Sequence, residues 1–403
     1  MPFRIAISGI RAATGDLNVI GNNIANVNTA GFKGSRAEFA DVFAVSNTGV
    51  ASQASGQGVN TARVSRQFTQ GNITFTDNSM DLAVSGQGFF IVDDDGSQLY
   101  TRDGAFGLDR EGYIVNAQNQ RLKGFTADAS GTISGQLGAM RISTANTSPR
   151  ATSTVQLGAN LDSQESAPLV TTFDPNDNAS FNFTTATTVF DSLGGGHLAQ
   201  FYFVKTGAGS WDMHTAIDGT LSGGASPLAF GTTGTLTTPA GGTITLPAVT
   251  PAGGGSPLNL TLNVSEMTQF GASFGVDRVV QDGYTTGRLS GIDIDTSGNI
   301  FARYTNGQSH VQGQVALANF PNPQGLRALG QNNWAESYDA GAVLIGAPGS
   351  SSLGLVQAGA LEDSNVDLSE QLVKLIVAQR NFQANTEVIQ TADATTQSII
   401  NIR

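Results

Sequence analysis

The segment Gly271-Ala272-Ser273-Phe274-Gly275 has the glycine spacing of a nucleophile elbow, and Asp293 and His310 follow it in acid-then-base order. In that chemistry a serine hydroxyl, deprotonated by a histidine, attacks an acyl carbon. The elbow needs a strand entering and a helix leaving. Residues 276–304 read instead as strands and turns with no helical period, so an esterase built on Ser273 is a rival reading that a serine-directed fluorophosphonate probe would reveal. Asp293-Ile-Asp295-Thr-Ser297-Gly298 opens like a calcium loop, but its twelfth position is Tyr304 rather than a bidentate acid. Asp174, Asn176 and Asn178 fail similarly, because Ala179 stands where the turn glycine belongs. The histidines, His197, His214 and His310, show no ligand spacing, and no glycine-rich phosphate loop joins a strand to a helix. The expectation is a chain with no catalytic, cofactor or metal site.

Composition points the same way. Charged residues make up 13% of the chain and glycine 50 of 403 positions, against averages of about 25% and 7%. The balance suits a β-rich, turn-rich surface protein of two or three domains. A net charge of -12 and only four lysines (Lys33, Lys123, Lys205, Lys374) offer no basic field, so neither nucleic acid nor membrane is an expected partner. The absence of cysteine excludes disulfides, thiolate metal sites and cysteine nucleophiles. Met1-Pro-Phe-Arg-Ile-Ala-Ile-Ser-Gly-Ile10 lacks an apolar h-region and a small-residue cleavage site, so any export is expected to proceed without a cleaved signal peptide.

The elements that would position anything in this chain differ between its ends and its middle. Phe3, Ile10, Leu17 and Ile24 recur every seven residues, as do Ala6, Ala13, Ile20 and Val27 at an offset of three. That is an a/d seam over four heptads. Leu368, Leu375, Phe382 and Ile389 repeat in the same way at the far end, with Leu372 and Ile400 on a neighbouring row that also holds Gln379, Thr386 and Asp393. Asn365 offers a helix start, with Asp367 and Glu370 where the helix dipole favours acids. Neither narrow stripe can be buried without another helix against it. The two ends could pair within one chain, or order only when many chains pack side by side. Gly9, Gly15 and Gly21 each weaken the first helix by about 1 kcal/mol relative to alanine and suit a close approach.

Between the helices, turn signals such as Ser85-Gly86, Asp95-Gly96, Asp103-Gly104 and Glu111-Gly112 punctuate short alternating runs, including 89–92 and 113–115. Asn306-Gly307 is the strongest hairpin signal. Residues 142–275 drift to Thr, Ser, Gly and Ala. The fold class expected is mainly β with terminal α-helices. The helices pair as a coiled-coil-like domain with linker (1–70 and 360–403), an inner β domain is built from both flanks (71–145 and 276–359), and an outer β domain is inserted (146–275).

Asp16-Leu-Asn-Val-Ile-Gly21-Asn22-Asn23-Ile-Ala-Asn26-Val-Asn-Thr-Ala-Gly31-Phe32-Lys33 resembles the N-terminal signature of the bacterial flagellar rod and hook axial protein family. Gln70-Gly-Asn-Ile-Thr-Phe-Thr-Asp77, Met80-Asp-Leu-Ala-Val-Ser-Gly-Gln-Gly-Phe-Phe90 and Tyr100-Thr-Arg-Asp-Gly-Ala-Phe106 are similar to its first β domain. Gly359-Ala-Leu-Glu-Asp-Ser-Asn-Val-Asp-Leu-Ser-Glu370, continuing to Ala378-Gln-Arg-Asn-Phe-Gln383, resembles its closing helix. Gly283-Tyr-Thr-Thr-Gly-Arg-Leu289, Tyr304-Thr-Asn-Gly-Gln308 and Leu317-Ala-Asn-Phe-Pro-Asn-Pro-Gln-Gly-Leu326 are similar to segments of its hook members. Residues 146–277 match only loosely.

The resemblance implies a non-enzymatic structural subunit that self-assembles into a flexible curved tube, the hook, coupling rod to filament and transmitting torque. The helix seams, Phe3, Ile10, Leu17, Ile20, Ile24, Val27, Leu368, Leu372, Leu375, Phe382 and Ile389, then become assembly contacts. Asn22, Asn23 and Asn26 become either amide donors between subunits or solvated positions. Phe39-Ala-Asp-Val-Phe43 resembles the aromatic recognition element read by the flagellar type III export gate, or else supplies two buried aromatics in a linker. The implied partners are further copies of the chain, the hook cap protein, the distal rod protein, the hook–filament junction protein and the export gate. The implied address is the flagellum, outside the cell. Another axial protein such as the distal rod, or an extracellular β-rich adhesin, are the alternatives.

Overall fold

Helix α1 runs Pro2–Ala25, beginning at a residue whose missing N–H has no role in a first turn. It ends two residues before the seam does, so Val27 lies in the following turn, where its N–H bonds the Ile24 carbonyl at 3.3 Å. Helix α2 runs Leu368–Asn401. Asp367 caps it by accepting the Glu370 N–H at 2.9 Å, and Glu370 pairs with Lys374 one turn on at 2.7 Å. The start is therefore Asp367 and not Asn365, whose side chain is engaged elsewhere. The computed structural model describes residues 2–42, 56–128, 130–251 and 253–401.

The two helices pack on one another within the chain, and the pairing is antiparallel. Asn23 of α1 bonds Gln371 of α2, while Gly9 faces Asn385, fourteen residues away along both helices. A Cβ on Gly9 would overlap the Asn385 amide, so this glycine permits the approach. Gly15 stands near Thr61 instead, and Gly21 faces no neighbour. The buried stripe comprises Ala6, Ala13, Ile20 and Asn23 on α1, with Gln371 and Ala378 on α2.

These helices belong to the first of two units, made of Met1–Ser143, Gly291–Arg303 and Ser309–Arg403. Ser35–Asp41 and Val59–Arg66 form an antiparallel ribbon with a bulge at Glu38/Phe39. The flanks are joined by pairs of very distant segments: Ile73–Phe75 with Ala360–Glu362, and Leu82–Ser85 with Leu355–Ala358. A 13-stranded sheet follows the order Leu289–Ile294, Asn299–Tyr304, Ser309–Val315, Arg121–Ala127, Phe89–Asp94, Ser97–Thr101, Asn333–Ala335, Arg327–Gly330, with the remaining strands on side branches. Its core gathers Phe89, Ile91, Tyr100, Phe320 and Trp334. The rings meet edge to face, Tyr100 on Phe320 at 4.7 Å and Phe89 on Trp334 at 5.6 Å, the arrangement the aromatic quadrupole favours.

The second unit comprises Thr144–Ser290 and Tyr304–Gln308. Thr154–Asp162 runs parallel to Thr261–Asn263 and Thr268–Phe270 and antiparallel to Gly275–Gln281. The second sheet carries Phe183–Phe190, Gly196–Gly207, Ser210–Ile217, Ser226–Phe230 and Leu236–Thr238 in that order, with Thr220–Leu221 beside the third. Alternate residues of both sheets, including Val155, Leu157, Leu161, Phe201, Phe203, Trp211 and Met213, enclose one core. The hairpin signal Asn306-Gly307 marks a turn with Gly307 at φ 79°. The Asn306 amide donates to the Thr285 carbonyl at 2.8 Å and to Thr147 Oγ1 at 3.2 Å, which places the turn in this unit.

Both apparent chemical motifs are turns. Residues 271–275 join Thr268–Phe270 to Gly275–Gln281, strand to strand, and the Phe274 ring stacks on Phe183 at 4.5 Å. Asp295 Oδ1 accepts the N–H groups of Ser297 and Asn299, both at 2.9 Å, and Asp293 pairs with Arg303.

Gly104 gives a test of the inner packing. It receives the Leu82 N–H at 2.9 Å, and a Cβ there would penetrate the Leu82 carbonyl oxygen. Gly104→Ala should destabilise the first unit by about 1–3 kcal/mol, read as a lower urea midpoint with unchanged slope.

Candidate assembly surface

Three segments far apart in sequence meet at one carboxylate. Glu362 has no solvent exposure, and its Oε1 takes the Lys33 ammonium at 2.5 Å and the Gly71 N–H at 2.8 Å. Its Oε2 takes the Arg102 guanidinium at 3.0 Å. Its backbone carbonyl accepts the Gly31 N–H at 2.7 Å. Lys33 also donates to the Thr69 carbonyl and Arg102 to that of Gly86. Burial pushes the Lys33 ammonium and the Arg102 guanidinium below their ordinary values, and the Glu362 charge opposes that shift in both. Gly31 sits at φ 67°, and any Cβ there would lie 2.5 Å from the Arg102 carbonyl carbon. Phe32 beside it is buried.

Asparagines continue the joint toward the helices. The Asn23 amide is buried and pairs with Ser35 as a strand residue would, donating to its carbonyl at 2.8 Å and accepting its N–H at 2.9 Å. Asn23 is thus spent within the chain, which corrects the expectation of an intersubunit donor or a solvated position. Asn26 closes the end of α1 by donating to the Asn22 carbonyl at 2.9 Å. Asn22 itself is exposed. Asn365 accepts the Gly34 N–H at 2.7 Å and donates to the Gln67 and Thr69 carbonyls.

The seam residues divide by exposure. Ile20 is buried; Ile10, Leu17, Ile24, Val27, Leu375 and Ile389 are half-buried; Phe3, Leu368, Leu372 and Phe382 are exposed. The pairing of α1 with α2 therefore consumes mostly the small and polar residues. Leu372, Val373, Ile376 and Val377 lie on one face of α2 and retain 45%, 62%, 50% and 51% of their exposure. Val373, Ile376 and Val377 stand outside the heptads singled out in the sequence, and their i, i+3, i+4 spacing is the signal that marks them. Glu362, Gln371 and Ala378 were also missed; Gln371 and Ala378 share a seven-residue spacing, whereas nothing local marks Glu362. Phe39 is 42% exposed on the Ser35–Asp41 strand, so it is no buried linker aromatic, and Phe43 lies outside the described residues.

Four family models match this arrangement of helical ends on a β body. A flagella basal body rod protein model matches 3–33, and a flagellar basal body rod FlgEFG protein C-terminal model matches 357–402. The flagellar hook protein FlgE/F/G D1 domain model matches 83–159, and the flagellar basal body protein FlaE D2 domain model 160–284. The class defined is that of flagellar rod and hook proteins. Flagellar hook protein FlgE of Escherichia coli (strain K12) is 38% identical over 411 residues, covering 100% of both chains. That of Borreliella burgdorferi is 32% identical over 436 residues, covering 98% of each. The crystal structure of Helicobacter pylori flagellar hook protein FlgE2 has the same fold, with a TM-score of 0.55 and 14% identity over 72% of this chain and 100% of that one. The chain belongs to the flagellar hook protein family, and the function that membership carries is that of a structural subunit of the hook.

Removing the shared anion should strand two buried cations. Glu362→Gln is expected to cost about 3–5 kcal/mol, measured by urea unfolding followed on Trp334 in a Trp211→Phe background. Lys33→Met added to it should recover part of that loss, because it removes one stranded charge.

Proposed function

We propose that subunits join through the outward apolar face of α2, helped by Phe3, Ile5 and Ile7 at the start of α1. The observation that carries this reading is the half-exposed row Leu372, Val373, Ile376 and Val377, which the α1–α2 pair leaves uncovered. Each such side chain gains about 1 kcal/mol when its remaining surface is covered. The gain recurs at every subunit of a polymer.

On this reading the helical ends (1–70 and 360–403) carry the lasting contacts, and the β part of the first unit orients them. The second unit, which extends the expected outer β domain (146–275) to 144–290 with 304–308 and is rich in Thr, Ser and Gly, makes wetter contacts that slide as the tube bends. The subunit itself is non-catalytic and works outside the cell, exported without a cleaved signal peptide. Phe39 and Phe43 are the export element we favour, and the exposed Phe39 ring suits recognition. The partners are other copies of the chain, the hook cap protein, the distal rod protein, the hook–filament junction protein and the export gate.

The test is the double substitution Val373→Glu with Ile376→Glu. Both residues are at least half exposed, so the folded monomer should keep its melting temperature within a few degrees, of order 1 kcal/mol. Under salting-out conditions, electron microscopy should show tubes or curved rods from the parent chain and monodisperse particles from the variant. Tubes from both chains would remove α2's outward face from the contact.

A further inference from the structure

His197 is the second residue of the strand Gly196–Gly207 and is 7% exposed. Its ring lies between two carboxylates: Nδ1 is 2.6 Å from Asp218 Oδ2 and Nε2 is 3.4 Å from Asp191 Oδ2. A neutral imidazole carries one N–H, and the other nitrogen presents a lone pair. Both contacts are attractive only when both nitrogens are protonated. Doubly protonated, the ring is a cation held between two anions, and loss of one proton turns one contact repulsive.

Each carboxylate organises a different loop. Asp191 Oδ1 accepts the Leu193 and Gly195 N–H groups at 2.9 and 2.7 Å, which shapes the 191–195 turn. Asp218, at φ 51°, accepts the Leu198 N–H at 2.9 Å and returns its own N–H to the Leu198 carbonyl. A third segment leans on the first: a Cβ on Gly255 would lie 2.8 Å from Asp191 Oδ2, and the Ser256 N–H bonds Ser192 Oγ at 2.8 Å. Asp191 and Asp218 are the charged groups facing the ring. The paired strand offers Val189, and the 253–256 segment offers only glycine and serine.

We infer that His197, Asp191 and Asp218 form a proton-operated latch on the loops of the second unit, closed while the ring is doubly protonated. The longer contact, to Asp191, opens first when the proton leaves. The 191–195 turn, with its exposed Leu193, and the 255–256 segment resting on it are then released together.

The hydrogen bond the ring donates to Asp218 in first place, with that to Asp191, holds its pKa above the ordinary value of 6.5 against the opposing effect of burial. Both carboxylates are held below theirs, Asp218 chiefly by the His197 bond, and Asp191 because burial, which alone would raise it, is outweighed by its bonds to Gly195 and His197 together with the others it accepts. A raised histidine pKa contributes stability that is complete below pH 6.5 and disappears as pH rises through the folded-state value. The latch thus opens on the alkaline side of 6.5.

The test uses the full chain. The three imidazoles are followed by heteronuclear NMR from pH 5 to 9, with His197 identified through His197→Gln, and hydrogen-exchange protection of Leu193 and Gly195 is measured over the same range. The expected result is a His197 midpoint above 6.5 and protection that falls at least tenfold across that midpoint. Asp191→Asn keeps an acceptor for the turn but removes one anion, so it should lower the midpoint and make the protection independent of pH. A midpoint at or below 6.5, or protection in the parent chain that does not follow His197, would overturn the latch. If His197→Gln fails to fold, Asp191→Asn alone supplies the comparison.

Discussion

The Glu362 carboxylate sets the conditions that the first unit must meet. A buried anion is costly unless it is paired and hydrogen-bonded, and here the partners come from residues 33, 71 and 102. Two cations to one anion leave a positive excess, which the Thr69 and Gly86 carbonyls absorb. Such a cluster is no better than a well-packed apolar core as a source of stability. Its force lies in exclusion. Any other register of the distant strands buries a charge without its partner, so the chain's two flanks fit together in one way.

From that fixed point the asparagines carry order outward. Asn23 borrows the ladder geometry of a strand, and Asn365 ties Gly34 to the stretch leading toward Gly71. The helices leave the β body in a defined direction and then meet through Gly9, Ala13, Ala378 and Asn385, side chains too small or too polar to bind strongly. This economy inside the subunit leaves the larger apolar side chains of α2 exposed. A pair that used its leucines internally would leave no such row uncovered.

The sequence made the helices, the β middle and the Asn306-Gly307 turn readable, because each rests on local periodicity or on a residue with a special backbone preference. Which helix face is used where was not readable. Leu368 stands on the seven-residue row of a buried seam and Leu372 on the row beside it, yet both are exposed. Periodicity reports that a stripe needs a partner and is silent on whether the partner is in the same chain. The Glu362 cluster joins positions 260 and 329 residues apart, and no spacing rule reaches that far. The parallel pairing of Thr154–Asp162 was hidden for the same reason, since hairpin signals reveal only neighbours.

The same long reach sets a timetable. A chain that emerges from its N-terminus presents Lys33 early and Arg102 soon after, but both cations wait for Glu362, near the end. Until then the strands 73–75 and 82–85 have no partners from the C-terminal flank, and α1 has no α2. The second unit is continuous over 144–290 apart from the short return of residues 304–308, and lies wholly upstream of Glu362. Its core can close while the first unit is still incomplete. Sequence order thus lets the subunit's middle close before its ends, with α1 and α2 the last to find each other.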